Sequence, residues 1–109
     1  MAKDSYDMNT ILGEKSNYEG TMKVEGSIRI EGNFKGKIEA GSVVVGKSAV
    51  VEADITASNI IVGGEVIGNI ISDSDLKLQK SAKVLGDIES AKLIIEEGAV
   101  LQGKCNMSK

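Results

Sequence analysis

The chain has no histidine, no proline and no tryptophan, one cysteine and one arginine. Without histidine it lacks the commonest general base and the commonest metal ligand. Cys105 has no second cysteine and no histidine to join it, which excludes an internal disulfide and a zinc site. A reducing cytoplasm is then the expected compartment. The single arginine, Arg29, and a net charge of −3 provide no basic stripe, so no nucleic-acid partner is expected. No apolar run approaches the length of about 18 residues that a membrane-spanning helix needs, and Met1-Ala2-Lys3-Asp4-Ser5 is too polar for a signal peptide. The absence of proline is informative in another way. Proline inside a sheet would remove a ladder hydrogen bond, so its absence suits uninterrupted strands.

What the chain does contain is a repeat. Val43-Val44-Val45 followed by Val51-Glu52-Ala53-Asp54-Ile55 returns as Leu76-Lys77-Leu78 with Val84-Leu85-Gly86-Asp87-Ile88, and again as Leu93-Ile94-Ile95 with Leu101-Gln102-Gly103-Lys104-Cys105. Six units align, beginning at Thr10, Ile28, Val43, Ile60, Leu76 and Leu93, with spacings of 18, 15, 17, 16 and 17 residues. Two residues into each unit stand Leu12, Ile30, Val45, Val62, Leu78 and Ile95. A turn of variable length leads to Tyr18, Phe34, Val51, Val66, Val84 and Leu101. Small residues follow at Gly20, Gly36, Ala53, Gly68, Gly86 and Gly103. Then come Met22, Ile38, Ile55, Ile70, Ile88 and Cys105, and finally Val24, Ala40, Ala57, Ser72, Ser90 and Met107.

No charged residue enters these columns; Lys23, Arg29, Lys37, Glu39, Lys77, Asp87 and Lys104 fall between them. Alternation by two with β-branched and aliphatic residues is the strand period. A short unit that repeats in this way is one coil of a solenoid, which buries its apolar side only against its neighbours. The expected fold is all-β: a single-domain parallel β-helix of about six coils over residues 10–107. Residues 1–9 form a flexible polar tail and residues 108–109 a C-terminal remnant. At about 4.8 Å per coil the rod is roughly 29 Å long. The core ladders are expected at Ile30, Val45, Val62, Leu78 and Ile95, and at Ile38, Ile55, Ile70 and Ile88. Cys105, in the same interior column, reads as a buried small hydrophobe rather than a nucleophile.

Sites for chemistry are missing. Gly63-Gly64-Glu65-Val66-Ile67-Gly68 lacks the spacing of a phosphate loop and reads as turn. Asp73 and Asp75 flank one turn only and read as turn formers rather than calcium ligands. The loops are too short to build a substrate cleft. No enzyme activity and no cofactor or metal are expected.

The ends of the rod are the notable feature. Solenoids close their ends with a helix or a polar cap, and neither the polar lead nor Ser108-Lys109 supplies one. Leu12, Tyr18 and Met22, with Phe34 one coil behind, are expected at the N-terminal end. Leu101, Cys105 and Met107 are expected at the C-terminal end. Two open apolar ends predict association that continues into a polymer.

Ile11-Leu12-Gly13-Glu14 ahead of Gly20, the six short units and the closing Gly103-Lys104-Cys105-Asn106-Met107 resemble the bactofilins over residues 10–107. The resemblance implies a right-handed, three-sided β-helix that forms nucleotide-independent cytoskeletal filaments through head-to-head and tail-to-tail contacts. It also implies a scaffold for cell shape, cell-wall enzymes or envelope structures, in the cytoplasm at the inner face of the cell membrane and in contact with inner-membrane proteins. In that family a bulky apolar residue in the last coil supports polymerisation, which points to Leu101, Cys105 and Met107. Members often carry proline-rich tails and an apolar membrane-binding lead; this chain has no proline and a polar lead, which speaks against direct membrane binding. Two other readings compete. One is a monomeric or small-oligomer binding module that uses an outward stripe of Val44, Ile61 and Ile94. The other is a hexapeptide-repeat transferase, disfavoured by the uneven step and the missing histidine.

Overall fold

The computed structural model describes residues 8–107, and every element in it is a strand. In chain order these are β1 (Met8–Leu12), β2 (Asn17–Ile30), β3 (Asn33–Val45), β4 (Val50–Val62), β5 (Glu65–Ile67), β6 (Ile70–Leu78), β7 (Lys83–Leu85), β8 (Ile88–Ile95), β9 (Val100–Gln102) and β10 (Cys105–Met107). All pairings are parallel, and each joins a segment to the one a coil later. The result is a β-solenoid of about six turns.

Each coil has three short legs. In the third they lie at residues 43–45, 50–52 and 55–57, and they pair with 60–62, 65–67 and 70–72 of the next coil. The columns read from the sequence are the register. Ile38 pairs with Ile55, Ile55 with Ile70, Ile70 with Ile88 and Ile88 with Cys105. The ladder from Leu12 through Ile30, Val45, Val62 and Leu78 ends at Ile95.

Burial follows the pleat. β4 alternates strictly, with Val51, Ala53, Ile55 and Ala57 inside and Glu52, Asp54 and Thr56 outside. Ile30, Val45, Val62, Leu78, Ile38, Ile55, Ile70 and Ile88 are all buried. Each such aliphatic side chain contributes about 1.5–3 kcal/mol.

Ile95 departs from the expected core: it is 47% exposed. It continues the ladder above Leu78, but no later coil covers it among the described residues. Cys105 is exposed for the same reason, so it is not the buried hydrophobe its column suggests. The start of the repeat also shifts. Met8 and Asn9, read as the end of a flexible lead, belong to β1. Residues 1–7 and 108–109, the rest of the expected tail and remnant, lie outside the described residues.

Polar groups in the interior columns are satisfied at a corner. The Ser72 hydroxyl reaches the carbonyls of Ser58 and Asp75, each at 2.9 Å, and the Ser90 hydroxyl reaches that of Lys92 at 2.7 Å. This is the turn that holds Asp73 and Asp75. A second polar ladder, not evident in the sequence, runs up another corner. Asp54 Oδ1 accepts from the Asn69 amide N–H at 3.1 Å, Asn69 Oδ1 from that of Asp87 at 3.2 Å, and Asp87 Oδ1 from that of Lys104 at 3.1 Å. Each bond ties one coil to the next where the main chain turns and its own ladder is interrupted.

Candidate functional site at the two solenoid ends

The first coil presents its legs at residues 10–12, 17–19 and 22–24, and among the described residues no coil lies beneath them. Leu12 and Met22 are half-buried and pack on the core from one side. Tyr18 is 39% exposed, while Phe34, its partner in the next coil, is 1% exposed. The two rings stack with centroids 5.1 Å apart and planes 11° from parallel. Beside the tyrosine, Asn33 Nδ2 donates to Asn17 Oδ1 at 2.8 Å. A hollow of about 510 Å³ runs along this leg, lined by Asn17, Tyr18, Glu19 and their next-coil partners Asn33, Phe34 and Lys35.

The last coil mirrors this arrangement in aliphatic form. Leu93 and Leu101 are half-buried and rest on the core. Ile95, Cys105 and Met107 are exposed, Met107 to 54%. Leu101 sits above Val84, Cys105 above Ile88 and Met107 above Ser90. All six residues assigned to the ends from the sequence therefore lie on the two terminal coils. Ile95 joins the C-terminal group, although its column placed it in the core. The signal was available: a column is covered on both sides only where a coil stands on both sides.

Both end faces combine apolar side chains with strand edges that pair with no further strand among the described residues. Such surfaces bind by burying apolar area and extending the ladder. Among the described residues no group of three or more His, Cys, Asp or Glu side chains is placed to hold a metal ion. No helix is long and apolar enough to cross a membrane.

The outer face of the first legs was the other candidate. Along it run Ile11, Arg29, Val44, Ile61, Lys77 and Ile94 in register. Val44 and Ile61 adjoin, but Lys77 separates Ile61 from Ile94 and its Nζ lies 3.5 Å from Glu96. The stripe is interrupted, and its apolar members read as isolated surface residues.

Comparison with known proteins agrees with this architecture. The chain is 35% identical over 100 residues to bactofilin BacO of Myxococcus xanthus (strain DK1622), covering 91% of this chain and 79% of that protein. It is 29% identical over 100 residues to bactofilin BacP of the same organism, covering 91% of this chain and 42% of BacP. No solved structure matches the chain. The family model for bactofilin, described as polymer-forming cytoskeletal, matches residues 10–106. With nearly every coil inside that match, the chain belongs to the bactofilin family of cytoskeletal proteins.

Proposed function

We infer that the protein is a non-enzymatic scaffold. It assembles end to end, without nucleotide and through head-to-head and tail-to-tail contacts, into filaments. These filaments organise cell shape and cell-wall enzymes on the cytoplasmic side of the inner membrane. One observation carries this reading. The interior columns that are buried in the middle coils reach solvent in the first and last, as Tyr18, Ile95, Cys105 and Met107 do. A second copy placed on either end would bury them again and satisfy the strand edges beneath them. Family membership supports the same conclusion, since the matching family is described as polymer-forming.

The direct test is negative-stain microscopy and sedimentation of the purified protein in nucleotide-free buffer. Filaments that pellet are expected. A monomer at every concentration would remove the reading.

The polarity of assembly has its own test, because Cys105 is the only cysteine. Tail-to-tail junctions bring two Cys105 thiols to one interface, whereas head-to-tail junctions hold them a rod length apart, roughly 29 Å. A bifunctional maleimide shorter than the rod should convert polymer into covalent dimers and nothing larger on a denaturing gel. Cys105→Ser should abolish the product. Monomer alone from intact filaments would rule out tail-to-tail junctions.

A further inference from the structure

Resting on the end-to-end reading, we propose that two N-terminal ends meet about a two-fold axis through Tyr18. Asn17 of each copy then faces Glu19 of the other, and the paired rings extend into a four-membered aromatic column.

The argument starts from what a two-fold contact requires. An axis perpendicular to the rod reverses chain direction, so one leg of the first coil runs antiparallel to itself across the junction. Three legs are available. At residues 10–12, pairing centred on Ile11 sets the Thr10 hydroxyl against the Leu12 side chain, and the central residue is 63% exposed on the outside of the rod. At residues 22–24, the centre is Lys23, so two ammonium groups meet across the axis, although each already has Glu39 at 3.7 Å. Like charges directly opposed destabilise a strand pair.

The leg at residues 17–19 is different. Its centre is Tyr18, whose ring already stacks on Phe34 on one side and is open on the other. The order Phe34, Tyr18, Tyr18 of the second copy, Phe34 of the second copy continues that geometry through the junction. The flanks are complementary as well. Asn17 Oδ1 already accepts from Asn33 Nδ2, and its two amide N–H donors make no hydrogen bond with a described residue. Glu19 makes no hydrogen bond or ion pair with any other described residue, and its carboxylate accepts. Asn17 donating to Glu19 of the second copy happens twice, once on each side of the axis, and both residues face outward as Tyr18 faces in. A head-to-tail junction would instead lay Val100, Leu101 and Gln102 over Asn17, Tyr18 and Glu19, following the column order. The Asn17 amide would keep Asn33 but meet a valine, which offers its N–H donors no acceptor.

Tyrosine coupling tests this. The chain has two tyrosines, so Tyr6→Phe leaves Tyr18 alone. Photo-oxidation of Tyr6→Phe filaments with a ruthenium sensitiser and persulfate should give a covalent dimer that carries dityrosine fluorescence. Tyr6→Phe/Tyr18→Phe should give none. Filaments that remain monomeric on the gel after irradiation would overturn the proposal while leaving end-to-end assembly intact. A wild type that never polymerises would instead overturn the reading beneath it. A swap supplies the second test. Asn17→Asp can still accept from Asn33 but opposes Glu19 of the second copy, and should raise the concentration needed for polymer about tenfold. Asn17→Asp/Glu19→Asn restores an amide opposite a carboxylate and should recover the wild-type value. A double variant as weak as the single one would overturn the pairing.

Discussion

Met107→Arg is expected to abolish filaments while leaving the solenoid folded. Met107 is 54% exposed at the C-terminal end, so an arginine there costs the free monomer almost nothing. In a tail-to-tail junction the same guanidinium is buried against the second copy, with no carboxylate in the column beneath it, which holds Ser90. Burying an unpaired charge costs about 3–5 kcal/mol, equivalent to a loss of over a hundredfold in junction affinity. Ile95→Arg should act in the same way, from a residue that is also half exposed. Leu101→Arg is a poorer probe, because Leu101 packs against the core and its loss unsettles the last coil itself. The measurement is sedimentation and negative-stain imaging of each variant, alongside circular dichroism to confirm the strand signal. Abundant filaments from both Met107→Arg and Ile95→Arg would show that this end makes no contact.

Gly86→Ala carries the largest expected effect on stability, and Gly20→Ala is its control. The two glycines occupy the same column, with φ of +148° and +143°, a region that side chains rarely adopt. Alanine at either position therefore pays a backbone strain of about 1 kcal/mol. They differ in what lies beneath. A Cβ on Gly86 would collide with the carbonyl oxygen of Gly68 in the preceding coil, and backbone there cannot step aside. A Cβ on Gly20, in the first coil, meets nothing nearer than Tyr18 Cε1 at 3.8 Å. Overpacking of the first kind adds about 1–3 kcal/mol. Gly86→Ala should then lose about 2–4 kcal/mol against about 1 for Gly20→Ala, which for a domain of this size separates their Tm values by roughly 10 °C. Thermal unfolding should be compared in the Met107→Arg background at one protein concentration, so that assembly does not inflate either value. Equal losses would mean that coil-to-coil contact at this corner is loose.

Ala53 shows how the sequence encodes that corner. It is the one residue of the small column that is not glycine, and it adopts no positive φ. β4 passes through it as regular strand, with the Ala53 methyl buried in the core. Glycine in the other five coils takes a positive φ, inside β2 and β3 at Gly20 and Gly36 and between strands at Gly68, Gly86 and Gly103. The alternation of Val51, Ala53, Ile55 and Ala57 with Glu52, Asp54 and Thr56 was equally legible, because side-chain period and burial are the same fact in a pleated strand. Asn17 and Glu19 were not legible. Nothing in the order of residues says that Asn33 reaches Asn17 across 16 positions, or that Glu19 finds no partner among the described residues. Those depend on which surface each leg turns outward and on how far the rungs of the next coil extend.

The order of residues alone settled the repeat, the columns and their register, since each follows from local alternation and from the return of one pattern every fifteen to eighteen residues. It could not say which members of a column are core and which are surface. Ile95 and Leu78 look alike in sequence, yet one is 47% exposed and the other buried. Burial in a solenoid is conferred by the coil above as much as by the coil below, so only the stacked structure decides where the interior stops and a binding surface begins.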